Sequence, residues 1–213
     1  MRNIEQELKL QLTAREYALV AARAAECGDA RTVSITNHYF VGDDMSRDTM
    51  VRIRQIGDRY VLCYKRRLNN VDEVMVCDER ETNVDGPFTN MALQVGLPYR
   101  SLNSIFDTDV FTSWLKYVGK SETLRTCFML DEWRVELDKC SYLGRTDYEL
   151  ECESDHVDSL EKLKNYLNHT FGIPTRGSLP KNQRFLDALA QDNAKETSHA
   201  GGATKHTDGN KED

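Results

Sequence analysis

Residues 4–10, IEQELKL, alternate between apolar and charged side chains near the start of the chain. Successive side chains of a β-strand point to opposite faces, so Ile4, Leu8 and Leu10 share one face. The other face carries Glu5, Glu7 and Lys9. Alone, this pattern is typical of an edge strand with a solvent-exposed outer face, and it gains weight because later segments repeat it.

Three later segments also combine an apolar face with a patterned charged face. Residues 50–56 carry Arg52 and Arg54 two positions apart. Residues 133–138 and 147–153 carry charged side chains at the same spacing, and most of these are acidic. Like charges that are neighbours on a strand face repel each other, so each set needs a compensating charge. The outward-facing alternative is a β-sandwich with a solvated, mixed-charge surface.

The sequence contains about eight strand-like segments with short connections, which favours antiparallel pairing. Eight antiparallel strands can close into a barrel, and we predict an α+β fold with helices packed outside it. Turning the charged faces inward brings acids and bases together. A polyanion that chelates a divalent metal uses both signs, because phosphate oxygens accept from Arg and Lys while Mg²⁺ binds carboxylates.

Composition limits the other classes of function. The chain has 213 residues and a net charge of −7, which argues against nucleic-acid or membrane-surface binding. It shows no apolar run of membrane-spanning length and no signal peptide, so we expect a cytoplasmic protein. The six cysteines are scattered without a C-x-x-C pair, which predicts reduced thiols and no structural zinc.

Helix signals lie between and after the strands. Thr13 and Glu16 form a capping-box pattern, and residues 87–118 suit short helices better than strands. A strand is predicted over 71–79, and a final helix from about 180 to 190. Residues 1–190 then form one domain, and residues 191–213, which lack large apolar side chains, form a disordered tail.

The ordered series of motifs resembles the CYTH, or triphosphate tunnel metalloenzyme, superfamily, especially its small stand-alone bacterial members. The series begins with Glu5-x-Glu7-x-Lys9 and continues through Asn37-His38-Tyr39-Phe40 and Arg52-x-Arg54. It ends with Tyr148-Glu149-Leu150-Glu151 and Lys181-x-x-Arg184-Phe185. Val41-Gly42 departs from the family's usual Asp-Thr.

The resemblance implies a closed tunnel of eight antiparallel strands that binds a triphosphate inside. It implies Mg²⁺ or Mn²⁺ as the cofactor, held by Glu5, Glu7, Asp138, Glu149 and Glu151. The phosphate chain would contact Lys9, Arg52, Arg54, Lys65, Arg125, Lys181 and Arg184. The catalytic set would be Glu5, Glu7, Lys9, Arg52 and Arg54, whereas Glu136 suits either the inner face or a structural ion pair.

The activity expected from this resemblance is metal-dependent hydrolysis of a small triphosphate, with inorganic tripolyphosphate as the simplest substrate. Alternatives within the family are a class IV-type adenylate cyclase and a thiamine triphosphatase. A different class is a non-catalytic sensor of triphosphate or polyphosphate, which would need the bases but not every carboxylate. The oligomeric state, monomer or homodimer, is left open.

Overall fold

The computed structural model describes residues 6–68, 77–154 and 157–202. The chain divides into a larger unit, Met1–Ser178, and a smaller unit, Leu179–Asp213. In its described ranges the larger unit is α+β, with eight strands and four helices. Its strands are β1 (Gln6–Leu12), β2 (Arg31–Val41), β3 (Thr49–Ile56), β4 (Arg59–Arg67), β5 (Cys77–Val84), β6 (Lys116–Leu130), β7 (Trp133–Tyr142) and β8 (Arg145–Ser154). Its helices are α1 (Ala14–Glu26), α2 (Gly86–Val95), α3 (Tyr99–Ile105) and α4 (Val157–Phe171).

The eight strands form one antiparallel sheet in the order β1-β8-β7-β6-β2-β3-β4-β5. The antiparallel sheet and the α+β class were predicted from the sequence. The predicted closure is not observed: across the described ranges, β1 and β5 remain the two edges. Part of the outer edge of β1 is instead bonded to the segment that follows α4, through a bridge between Leu10 and Gly177.

Helices cover one face of the sheet in two apolar clusters. The first cluster packs α1 and α4, including Val20 and Leu163, against β1, β7 and β8. The second packs α2 and α3, including Ala92 and Leu102, against β2, β3 and β4. Because side chains alternate along a strand, covering this face leaves the charged residues together on the opposite face.

The start of α1 is fixed by side-chain hydrogen bonds. Thr13 accepts from the backbone N–H of Glu16, and Glu16 accepts from the backbone N–H of Thr13 at 2.7 Å, which completes the predicted capping box. Arg176 also donates to Glu16. Burial alone would raise the pKa of Glu16, but these hydrogen bonds outweigh it and lower the pKa below its usual value.

Three element boundaries differ from the sequence predictions. β5 ends at Val84, beyond the end of the strand predicted over 71–79, and residues 71–76 of that prediction lie outside the described residues. β6 begins at Lys116, so the end of the predicted helical region is a strand. In the smaller unit α5 spans Lys181–Gly202, so residues 191–202, assigned to a tail, are helical. Residues 203–213 lie outside the described residues. No helix in the described ranges is long and apolar enough to cross a membrane.

Candidate metal and phosphate site

The strand register places acids and bases from four strands side by side on the charged face. One row joins Lys9 of β1 to Glu151 of β8 and Glu136 of β7. The next row joins Glu149 of β8 to Asp138 of β7 and Arg125 of β6. The pairing of β8 between β1 and β7 therefore assembles residues that are up to 142 positions apart in the sequence.

Three of these carboxylates form a buried trio: Asp138, Glu149 and Glu151. Their exposed fractions are 0%, 0% and 7%. One oxygen atom from each lies within 4.8 Å of the others. Buried carboxylates so close together repel each other strongly unless cations compensate them, so the trio is a place where positive charge is stabilised.

Arg125 supplies part of that compensation. Its Nε and Nη2 donate to the two carboxylate oxygens of Asp138 at 2.8 and 2.7 Å, and Nη2 also donates to Glu151 at 2.7 Å. Nη1 forms an ion pair with Glu136. Burial would lower the pKa of Arg125, but the hydrogen bonds and charge of Asp138 raise it above its usual value. Arg125 is therefore a fixed cation.

Lys9 supplies a second cation. Its Nζ lies 2.9 Å from Oε1 of Glu151 and 3.8 Å from Oε1 of Glu149. Glu151 therefore contacts both Lys9 and Arg125, and in the strand register the trio lies between these two cations.

A second charged group lies on β3, on the same face of the sheet. Arg52 is opposite Tyr39, and Arg54 is opposite Asn37, on β2. The Nε atoms of both arginines are buried without a hydrogen-bond partner, and no carboxylate in the described residues pairs with either guanidinium. Burial, together with the neighbouring charge of Arg52, lowers the pKa of Arg54. The pair would be stabilised by an anion.

β4 and β5 extend this charged group. Lys65 forms an ion pair with Glu79 at 3.0 Å. Glu81 of β5 lies opposite Cys63 of β4, which lies opposite Arg52 of β3, so the three residues form one row across the sheet. The sequence analysis missed Glu81 because the predicted strand ended before it. The alternation Glu79-x-Glu81 was the signal that could have found it.

The predicted site residues therefore fall into three sets. The structure brings Lys9, Arg125, Asp138, Glu149 and Glu151 together, and it places Arg52, Arg54 and Lys65 on the same face of neighbouring strands. Glu5 lies outside the described residues, and Glu7 is described only by its backbone pairing with Glu153. Lys181 and Arg184 lie at the start of α5 in the smaller unit. Their roles remain predictions.

The residues present fit a hard divalent cation. The trio offers only carboxylate oxygens, the donor type that Mg²⁺ and Mn²⁺ prefer, and it contains no thiolate or imidazole. Asp138, Glu149 and Glu151 could hold the ion. Of the other two predicted ligands, Glu7 belongs to β1 and Glu5 lies outside the described residues.

Together, the eight-stranded sheet and its mixed acid–base face define a fold class, and comparison with known proteins identifies it. The family model of the CYTH domain matches residues 3–185. Because the match covers most of the chain, this protein belongs to the CYTH domain family. The predicted resemblance is thereby confirmed.

Individual relatives agree with this assignment. "Putative triphosphatase YjbK" from Bacillus subtilis (strain 168) is 25% identical over 190 residues, which cover 87% of this chain and 96% of YjbK. A crystal structure of a "putative adenylate cyclase" from Bacillus halodurans has a TM-score of 0.68 at 21% identity, covering 86% of this chain and 98% of that one. "Putative adenylyl cyclase HpAC1" from Hippeastrum has a TM-score of 0.69 at 20% identity, covering 86% and 95%. These two structures share the fold.

Proposed function

We propose that this chain is a divalent-metal-dependent triphosphatase that hydrolyses inorganic tripolyphosphate to diphosphate and orthophosphate. The observation that carries the proposal is the presence of two complementary groups on one face of one sheet. Asp138, Glu149 and Glu151 form a buried acidic trio, and Arg52 and Arg54 are half-buried cations that no carboxylate pairs with in the part of the chain that the structure describes. The membership of the CYTH family and the name of the relative YjbK support the same activity.

In the proposed complex the substrate lies against the charged face of the sheet. Non-bridging phosphate oxygens accept hydrogen bonds from Arg52 and Arg54, whose buried donors then gain partners. The other predicted contacts of the phosphate chain are Lys9, Lys65, Arg125, Lys181 and Arg184. Lys65 supports this arrangement because it lies on the neighbouring strand β4, and its side chain shares a face of the sheet with Arg52 and Arg54.

The reaction needs no protein nucleophile. Water attacks the terminal phosphorus, the bond from that phosphorus to the bridging oxygen breaks, and diphosphate leaves with the bridging oxygen. A bound Mg²⁺ or Mn²⁺ supplies Lewis-acid stabilisation of phosphate charge and orients the triphosphate. Arg52 and Arg54 offset the negative charge that develops on the phosphate oxygens, a contribution that is large in a site shielded from water.

The proposal is tested by measuring orthophosphate release from tripolyphosphate, ATP and thiamine triphosphate with Mg²⁺ or Mn²⁺, together with cyclic AMP formation from ATP. We expect release from tripolyphosphate that disappears with EDTA. Cyclic AMP as the main product would indicate the cyclase alternative. Tight binding of tripolyphosphate without turnover of any of the three would overturn the hydrolase and leave the sensor.

The predicted role of Glu7 has its own test. Glu7→Gln removes a carboxylate charge while conserving shape, so turnover should fall to background and the circular-dichroism spectrum should stay unchanged. Glu132→Gln, at an exposed position in the turn between β6 and β7, serves as the matched control and should keep full activity. Unchanged turnover in Glu7→Gln would remove Glu7 from the metal set.

A further inference from the structure

A short segment after α4 lies along the outer edge of β1. The backbone N–H of Gln11 donates to the carbonyl oxygen of Arg176 at 3.2 Å, and Nε of Arg176 donates to the carbonyl oxygen of Gln11 at 3.3 Å. Gly177 forms an antiparallel bridge with Leu10. We call residues 176–178 the edge segment, because it extends the sheet beyond β1 by one short strand-like pairing.

Arg176 fixes the position of the edge segment. Its Nη2 forms an ion pair with Glu16, the same residue that completes the capping box of α1. Just upstream, Ile173 is 1% exposed and belongs to the first apolar cluster. The edge segment is therefore held by the buried Ile173 just before it, by the ion pair of Arg176 with Glu16 and by the pairing of Arg176 and Gly177 with β1, so its last residue, Ser178, is also confined.

Ser178 contacts the acidic trio directly. Its Oγ donates to Oε2 of Glu149 at 3.0 Å. The other oxygen of that carboxylate, Oε1, faces Nζ of Lys9 at 3.8 Å. Glu149 has no exposed surface, so no bulk water replaces the hydroxyl if it is removed. A hydroxyl on Oε2 restricts rotation of the carboxylate and leaves Oε1 directed toward Lys9.

We propose that Ser178 is a positioning residue for the metal site: it orients the carboxylate of Glu149 for a divalent cation, and the edge segment holds Ser178 in place. The inference rests on the proposed function, because it assumes that the trio binds a metal. Hydrogen bonds from outside the ligand set typically contribute about 10- to 100-fold to metal affinity. Ser178 lies 29 positions after Glu149, so only the fold reveals the contact.

The test is a titration with Mn²⁺ alone, followed by the electron paramagnetic resonance signal of unbound Mn²⁺. Ser178→Ala should bind Mn²⁺ about 10- to 100-fold more weakly than the original protein. Ser178→Thr keeps the hydroxyl and should restore most of the affinity. Ser101→Ala, which removes an exposed serine of α3, is the matched control and should leave the affinity unchanged.

Turnover gives a second readout. Ser178→Ala should need a higher Mn²⁺ concentration for half-maximal tripolyphosphate hydrolysis, and saturating Mn²⁺ should restore kcat. A role confined to packing would lower the melting temperature without moving the Mn²⁺ requirement. That result, or equal Mn²⁺ affinity of Ser178→Ala and the original protein, would overturn this inference while leaving the proposed function standing.

Arg176 offers an independent check through a double-mutant cycle. Arg176→Gln loosens the edge segment and should weaken Mn²⁺ binding in the original background but have little further effect when Ser178→Ala is already present. Strictly additive effects on Mn²⁺ affinity would contradict the proposed linkage between the two residues. An original protein that leaves the Mn²⁺ signal unchanged would overturn the proposed function, and with it this inference.

Discussion

Arg125 contacts three carboxylates on the charged face of the sheet. Its guanidinium binds Asp138 with two hydrogen bonds and also contacts Glu151 and Glu136. Asp138 is fully buried, and removing its cationic partner is costly because it leaves a buried charge uncompensated. We therefore expect Arg125 to contribute to the stability of the fold whether or not it also contacts phosphate.

We predict that Arg125→Met lowers the free energy of unfolding by about 3–5 kcal/mol, because Asp138 and Glu151 lose their main cationic partner. Urea denaturation at neutral pH in EDTA measures the change. The control is Arg15→Met, at an exposed position in the first turn of α1, which should change stability by less than about 0.5 kcal/mol. A loss for Arg125→Met below about 1 kcal/mol would show that the carboxylates are not held as described.

His38 is a buried titratable residue on the helix-covered face of β2, opposite Ile53 of β3. Burial lowers its pKa, and nearby Lys120 lowers it further, against the opposing effects of Gln55 and Glu122. The folded state therefore binds fewer protons at His38 than the unfolded state does. Stability from this residue is present above the unfolded pKa of about 6.5 and is lost as pH falls through the folded pKa.

We accordingly predict that the free energy of unfolding decreases between pH 7.5 and 5, and that His38→Gln makes this decrease smaller. Urea denaturation at several pH values measures the slope. His169→Gln, at an exposed position in the last turn of α4, is the matched control and should keep the original slope. An unchanged slope in His38→Gln would mean that His38 is protonated in the folded protein as readily as in the unfolded chain.

Among the secondary-structure elements, α1 is stabilised at its start by its own capping residues and by the edge segment. Thr13 and Glu16 cap the helix, and Glu16 also binds Arg176 of the edge segment. We predict that Thr13→Ala lowers the free energy of unfolding by about 1 kcal/mol, since one N-terminal N–H loses its acceptor. Thr13→Ser should retain most of this stability, and Thr112→Ala, at an exposed loop position, should have no effect. Equal stability of Thr13→Ala and Thr13→Ser would contradict the capping role.

Most elements could be predicted from local patterns, because each pattern reports a physical need of one segment. β1, β3 and β8 alternate clearly and their charged faces follow from it, whereas both faces of β4 carry apolar residues and its pattern does not assign the inner face. The end of β5 was predicted too early, at residue 79, because the alternation of Glu79 and Glu81 continues past that point and periodicity alone does not define a strand end. Lys116 to Glu122 lacks clear alternation, which hid the start of β6.

The candidate site was predictable in composition but not in its contacts. The residue types of Asp138, Glu149 and Glu151 follow from strand alternation and from the resemblance to the CYTH family. That Arg125 and Lys9 already pair with these acids depends on the order β1-β8-β7-β6, which no local pattern specifies. The contact of Ser178 with Glu149 likewise depends on where the edge segment lies.

In the larger unit as a whole, opposite faces of the sheet have opposite roles. The helix-covered face carries both apolar clusters and supplies the stabilising burial. The other face carries the charged side chains, including the buried acidic trio and Arg52 and Arg54, whose Nε atoms are buried without a hydrogen-bond partner. An anion that accepts hydrogen bonds from these two arginines should therefore stabilise the fold.

We predict that tripolyphosphate in EDTA, where hydrolysis is suppressed, raises the melting temperature by about 5–10 °C at a concentration 100-fold above its Kd. Binding to the folded state alone contributes about 2.7 kcal/mol at that concentration. About 1 kcal/mol corresponds to 2–4 °C for a protein of this size. Arg54→Met should reduce the increase strongly, because its buried guanidinium is one of the two cations that the anion would satisfy.

Differential scanning fluorimetry measures this shift, and two controls isolate the site. Sulfate at matched ionic strength reports the general effect of anions, which should be much smaller than that of tripolyphosphate. Arg59→Met removes an exposed arginine at the start of β4 and should keep the full shift. An equal shift in Arg54→Met and the original protein would place anion binding elsewhere, since removing a cation that contacts the anion must weaken its binding.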